Sequence, residues 1–229
     1  MHQEFRALCE QLDLSNVYVI DDSISKSDYC LLDLSTTNPE LQSVDVSTSE
    51  TLGEYVNSVI DKNQSKLAYG GYLEQRNIYQ RSDYFNEQVD PNDERNIHLG
   101  VDLWVTAGTP VLAVLDGKIH SFQNNINFGD YGPTIIIEHR FNKLTFYSLY
   151  GHLSKSSLTS LKTGQHVQQG EVIATLGTAS ENGDYPPHLH FQIILDLQGR
   201  TGDYPGVCSK NDLSFYKNNC PNPALILGI

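Results

Sequence analysis

Apolar residues recur along this chain with two different periods, and the change of period divides it. In "VSTSETLGEYVNSVIDKN", Leu52, Tyr55, Val56, Val59 and Ile60 fall at the three- and four-residue intervals that make one apolar stripe on a helix. Ser47 and Glu50 stand at capping-box spacing and predict where that helix begins. "HQEFRALCEQL" repeats the helical spacing on a smaller scale with Phe5, Leu8, Cys9 and Leu12. Between the two, "NVYVIDD" and "DYCLLDLS" read as short strands. Residues 66–94 are rich in tyrosine and punctuated by glycine, without clear periodicity, and read as a lead-in packed against the domain after them.

After His98 the texture becomes strand, turn, strand. "PTIIIEH", "LTFYSLYGHL", "EVIATLG" and "HLHFQIILD" are dense in β-branched and aromatic residues, which suit a pleated, half-buried surface. "TPVLAVLDGKIHSF" starts on a proline and carries an Asp-Gly turn. "NFGDYG", "FNK" and "KTGQHVQQG" separate the runs, and no long helix is expected. The prediction is a mainly β fold: an antiparallel sheet or sandwich over residues 91–200, preceded by a smaller mixed α/β segment at 1–90. Residues 201–229 read as a loop-like tail with an apolar end that packs back onto the domain. At 229 residues the chain is long enough to bury a sizeable core.

Charge narrows the partners. Fifteen Lys+Arg against 28 Asp+Glu leave a net charge of −13, with no basic cluster to interrupt it. Such a field repels a phosphate backbone, so nucleic acid is not an expected partner. No apolar run approaches the roughly 20 residues of a membrane span. The opening "MHQEFRALCEQLDLSN" has acidic residues and no long apolar core, so no secretory signal is read there. The expectation is a cytoplasmic chain as sequenced, with neighbouring domains if it is one module of a larger protein. Cys9, Cys30, Cys208 and Cys220 are too scattered for a disulfide framework or a four-thiolate zinc site. Cys208 and Cys220 flank a short polar loop and can pair if oxidised; free thiols are expected in a reducing compartment.

The chemistry lies in the histidines. On a strand, residues two apart face the same way, so His188 and His190 of "YPPHLHFQI" share one surface. Leu189 and Phe191 then face the packed side. That geometry suits two ligands, or one ligand beside one base. In "NIHLGVDLW", His98 and Asp102 stand four apart around Gly100; an extended loop with a glycine bend brings both to one ion. His152 ends the apolar run before "GHLS". Imidazoles and a carboxylate at strand edges and turns are the inventory of a zinc hydrolase, whose metal takes three protein ligands and keeps a fourth position for water. His120, His139 and His166, with Trp104, Tyr131, Tyr147, Tyr150 and Tyr185, read as core or surface residues. Tyr185, near His188, is the best placed of these to line a groove.

"HLGVDLWVTAGTPVLAVLDGKI", "YGHLS", "TGQHVQQGEVIATLG" and "PPHLHFQI", in that order, resemble the successive signatures of the M23 metallopeptidases of the lysostaphin and LytM type. The resemblance runs from about His98 to Asp196. It implies Zn2+ held by His98, Asp102 and His190, and catalytic roles for His152 and His188. It implies hydrolysis of a peptide bond by a zinc-activated water, on peptidoglycan-type peptides at the cell envelope or outside the cell. His188, beside a ligand, is the expected base. Gln192 departs from the glutamate of many family members and faces the same way as His190, which makes it a candidate hydrogen-bond partner. Two other readings remain open: an intracellular zinc amidase or peptidase acting on a small peptide or metabolite, and a non-catalytic LytM-like binding module. "LKTGQHVQQGEVIATLG" also resembles the hairpin of biotinyl and lipoyl carriers, but no lysine stands at its turn.

Overall fold

The computed structural model describes residues 2–82, 85 and 90–229. Twelve strands are described: β1 (Tyr29–Leu31), β2 (Leu67–Gly70), β3 (Ile97–His98), β4 (Val101–Trp104), β5 (Pro110–Leu112), β6 (Gly117–Asn125), β7 (Gly132–Phe141), β8 (Leu144–Gly151), β9 (His166–Val167), β10 (Val172–Thr175), β11 (His188–Ile194) and β12 (Val207–Cys208). Eight of them form one sheet in the order β1-β2-β4-β11-β8-β7-β6-β9. Its neighbours are antiparallel except β1 and β2, which run parallel. β5 pairs with β10 and β3 with β12 in two small sheets. The mainly β, antiparallel expectation for the domain holds.

Alternation along β11 sorts its side chains between two covered faces. Leu189, Phe191 and Ile193 enter the main core with Val101 and Leu103 of β4 and Ile135 and Ile137 of β7. His188, His190 and Gln192 point the other way, yet are as buried as the core residues. Every residue of β11 is buried, because segments from both ends of the chain cover the second face. Polar residues on a strand buried on both sides are costly unless partnered, so this strand carries chemistry or hydrogen bonds at each of them.

Residues before and after the sheet complete its cores. The helix α1 (His2–Cys9) sets Phe5 edge-on against Phe146 at 5.3 Å, and Ile226 and Leu227 of a short C-terminal helix, Ala224–Leu227, join the same cluster. The longer helix α2 (Ser49–Lys62) buries Leu52 and Val56 beside Trp104 and Tyr185.

Several local expectations need correction. The cap of α2 is Thr48, whose hydroxyl accepts from Thr51 N at 3.2 Å. Ser47 is displaced from that role because its own N–H is taken by Asp45 Oδ1. "NVYVIDD" forms no strand and contributes one bridge, Ile20 to Val111. β1 and β2 belong to the large sheet, and β2 rises from the stretch read as aperiodic; residues 83–84 and 86–89 of that stretch lie outside the described residues. The Asp-Gly turn does not close a hairpin: β5 and β6 pair with different partners, so the chain there passes from one sheet to another. The tail carries two short helices, Leu213–Asn219 and Ala224–Leu227.

Phe5→Ala should lower the free energy of unfolding by about 3–5 kcal/mol in urea titration, as for a buried phenylalanine. A loss below about 1 kcal/mol would show that α1 is not part of the cooperative core.

Candidate metal centre

Sheet register brings the first three residues together. In the β4–β11 ladder Asp102 lies directly opposite His190, and His188 opposite Trp104. Directly opposed residues of antiparallel strands have their Cβ atoms about 5 Å apart on the same face, so the carboxylate meets the imidazole without help from a loop. His98 arrives from β3, separated from β4 by Leu99 and Gly100, in the extended conformation anticipated for "HLGVD". Gly100 does more than bend the chain. A Cβ there would stand 2.6 Å from His190 Cε1, so glycine gives the ring its room.

Three polar atoms converge. His98 Nε2 and His190 Nδ1 are 2.8 Å apart, and Asp102 Oδ1 is 3.2 Å from each. Hydrogen bonds on the far side of each group decide what these atoms are. His98 Nδ1–H donates to Gly71 O at 3.0 Å, which leaves the lone pair on Nε2. Gln192 Nε2 donates to Pro205 O at 3.1 Å, so its Oε1 faces His190 and accepts from Nε2–H at 2.9 Å. The lone pair of His190 is therefore on Nδ1. Three acceptors point at one another with no proton of their own between them, an arrangement a cation relieves. Tetrahedral zinc with bonds of about 2.0–2.1 Å sets its ligand atoms about 3.3 Å apart, close to the spacing here, and the nitrogen and oxygen donors suit it.

The carboxylate has a counter-charge. Arg76 Nη1 donates to Asp102 Oδ2 at 2.6 Å, and Arg76 Nε to Glu74 Oε2 at 2.5 Å. Burial alone would push the Asp102 pKa up, but His98 and the Arg76 guanidinium outweigh it and hold the carboxyl well below its usual range. Burial likewise works against the Arg76 charge, and Glu74 and Asp102 overcome it. Burial lowers the His98 pKa to about 4 despite the pull of Asp102, so the ring is neutral at pH 7.

His152 and His188 stand beside this triangle with ring centroids 4.2 Å apart. His188 Nδ1–H donates to Pro186 O at 2.8 Å, and His152 Nδ1–H to Asn182 O at 2.7 Å. Both Nε2 atoms thus keep their lone pairs, and that of His188 lies 3.9 Å from Asp102 Oδ1. Burial lowers the His188 pKa to about 4; burial and then His188 hold His152 well below the imidazole range. His152 has φ of 63°, a left-handed conformation that costs a non-glycine residue about 1–3 kcal/mol and is retained where the surroundings impose it. Here Tyr131 O and Gly177 N grip its backbone. Trp104 stacks on His188 at 3.9 Å and 18°, and Tyr185 meets His152 edge-on at 5.0 Å.

The five residues singled out in the sequence are thus together, and the other four histidines are elsewhere, His2 at the start of α1. His139 is buried between Asp116 O and Ser148 Oγ, His120 contacts Ser121, and His166 is exposed. Arg76, Glu74, Gly71 and Asn182 were missed, since nothing local marks a residue that acts across the sheet. Trp104 had a signal: two residues after Asp102 on a strand, it must share its face. All four cysteines are free thiols, and no described helix is long and apolar enough to cross a membrane.

Residues 96–202 match the model of peptidase family M23. An uncharacterized metalloprotease of Haemophilus influenzae is 38% identical over 100 residues, 43% of this chain and 19% of that protein. The peptidoglycan DD-endopeptidase ShyC of Vibrio cholerae is 34% identical over 100 residues, 43% of this chain and 20% of its own length. The chain thus spans about a fifth of these curated relatives. The catalytic domain of the antimicrobial peptidase lysostaphin from Staphylococcus simulans aligns with 72% of this chain and 97% of its own, at 25% identity and a TM-score of 0.40.

Arg76→Leu leaves the Asp102 charge buried and unpaired, and should destabilise the metal-free protein by about 3–5 kcal/mol. Added zinc should recover part of that loss in calorimetry; an unchanged melting temperature would remove Arg76 as the counter-charge. His98, His188 and His139 each fall from 6.5 to about 4 on folding. Between those values the unfolded chain binds more protons than the folded one. Metal-free stability should therefore be full above pH 6.5 and decline as pH drops to about 4, as urea titrations at stepped pH will show.

Proposed function

We propose that this chain, whose residues 96–202 match peptidase family M23, is a zinc-dependent peptidase of that family that hydrolyses a peptide bond in peptides of the peptidoglycan type. The observation that carries the reading is the convergence of three lone-pair acceptors, His98 Nε2, Asp102 Oδ1 and His190 Nδ1, with no proton among them. These three residues hold the metal. Zinc bound there supplies a Lewis acid that acidifies water and polarises a carbonyl.

The remaining chemistry belongs to the protein's own side chains. His188, neutral at pH 7 and with Nε2 toward the centre, takes the proton of the attacking water. The imidazolium so formed sits 3.9 Å from the Asp102 carboxylate and against the face of Trp104, two contacts that favour the charge. The proton that His188 takes up must then reach the leaving amine, and His152, held beside it by the Asn182 carbonyl with its Nε2 lone pair free, relays it there. Gln192 keeps His190 in the one tautomer that can bind metal. The name of the Vibrio cholerae relative supports a peptidoglycan-type substrate.

His98→Ala should lose both zinc and hydrolysis. His188→Ala should keep one zinc per chain by elemental analysis while turnover falls by about 10²–10⁴, the usual worth of a general base. Zinc lost from the His188 variant, or hydrolysis that survives complete chelation, would overturn these assignments.

A further inference from the structure

We propose that the centre acts on short, soluble peptides with a free end and excludes the cross-linked polymer; this rests on the peptidase reading above. A polymer must pass the metal with chain continuing on both sides of the scissile bond, which needs a through-groove. The structure has instead a cavity of about 280 Å3 over residues that barely reach solvent: His98, Asp102 and His190 are 2%, 1% and 2% exposed, and His188 and His152 3% and 5%. A sphere of that volume is roughly 8 Å across, the length of two or three residues of extended chain at about 3.3 Å each. It falls at the low end of small-molecule sites, which run from about 300 to 1,000 Å3.

The walls come from outside the family-matched residues. Ile78, Tyr79 and Phe85 of the lead-in and Tyr204, Val207 and Tyr216 of the tail line the cavity, whereas the match spans 96–202. These walls are built into the strand that carries the first histidine. Leu73 N donates to His98 O at 2.9 Å and His98 N to Glu74 O at 2.9 Å on the lead-in side. On the tail side β12 pairs with β3, Val207 opposite His98, and Leu99 N donates to Gly206 O at 2.8 Å. Val207 cannot swing aside without breaking the backbone pairing that positions His98, and Ile78 follows within five residues of the Leu73 and Glu74 bonds to the same strand. A peptide end can enter such a cavity; a strand tethered at both ends cannot lie across it.

The test presents the same bonds in two sizes: purified cell wall left intact, and the same wall digested by a muramidase and an amidase to free peptides. The zinc-loaded full chain should release new amino termini from the digest, by mass spectrometry, and solubilise the intact wall at least 100-fold more slowly. Solubilisation of intact wall less than 100-fold slower than the digest is cut overturns the size limit and leaves the peptidase reading standing. Inertness toward both, with one zinc bound per chain, removes the peptidoglycan-peptide reading and the size limit with it.

Discussion

One buried carboxylate organises this molecule. Asp102 is 1% exposed, and a charge so placed is tolerated only beside compensating groups. One oxygen faces the lone pairs of two imidazoles, an arrangement a cation relieves, and the other accepts from a guanidinium that is itself answered by Glu74. The demand for those partners ties together parts of the chain with nothing else in common. The strand ladder supplies His190, a two-residue step supplies His98, and the stretch before the family-matched region supplies Arg76 and Glu74. Remove the carboxylate, and buried Arg76 keeps Glu74 as its remaining counter-charge while Nη1 loses its acceptor.

What was legible in the sequence was whatever depends on local period. The two-residue repeat of "HLHFQI" places His188, His190 and Gln192 on one face, and the structure keeps them there. The helical stripe of Leu52 and Val56 is buried as its spacing implies. What was not legible depends on pairing between distant segments. β2 is a strand because β4 offers it an edge, although its own sequence shows no alternation. Thr48 caps α2 because Asp45 engages Ser47 first, a competition the capping pattern does not encode. Arg76 carries no motif at all, and its importance is visible only once Asp102 lies beside it.

Gln192 shows how a departure from the family pattern can be read physically. An amide has a donor end and an acceptor end, and the Pro205 carbonyl claims the donor. The acceptor must then face His190, and the histidine's tautomer is set by it. A carboxylate at that position would set two acceptors against each other at Pro205. Residue 192 and the tail segment that passes over it are therefore matched to one another.

The pairing of β3 with β12 joins His98 to Val207, more than a hundred residues later in the chain. During synthesis from the amino end, the strands of the large sheet are made before either β12 or Pro205 exists. Until those residues emerge, the strand bearing His98 lacks its neighbour and Gln192 lacks the carbonyl that orients it. A site whose principal residues are made early is thus geometrically complete only when the late ones arrive.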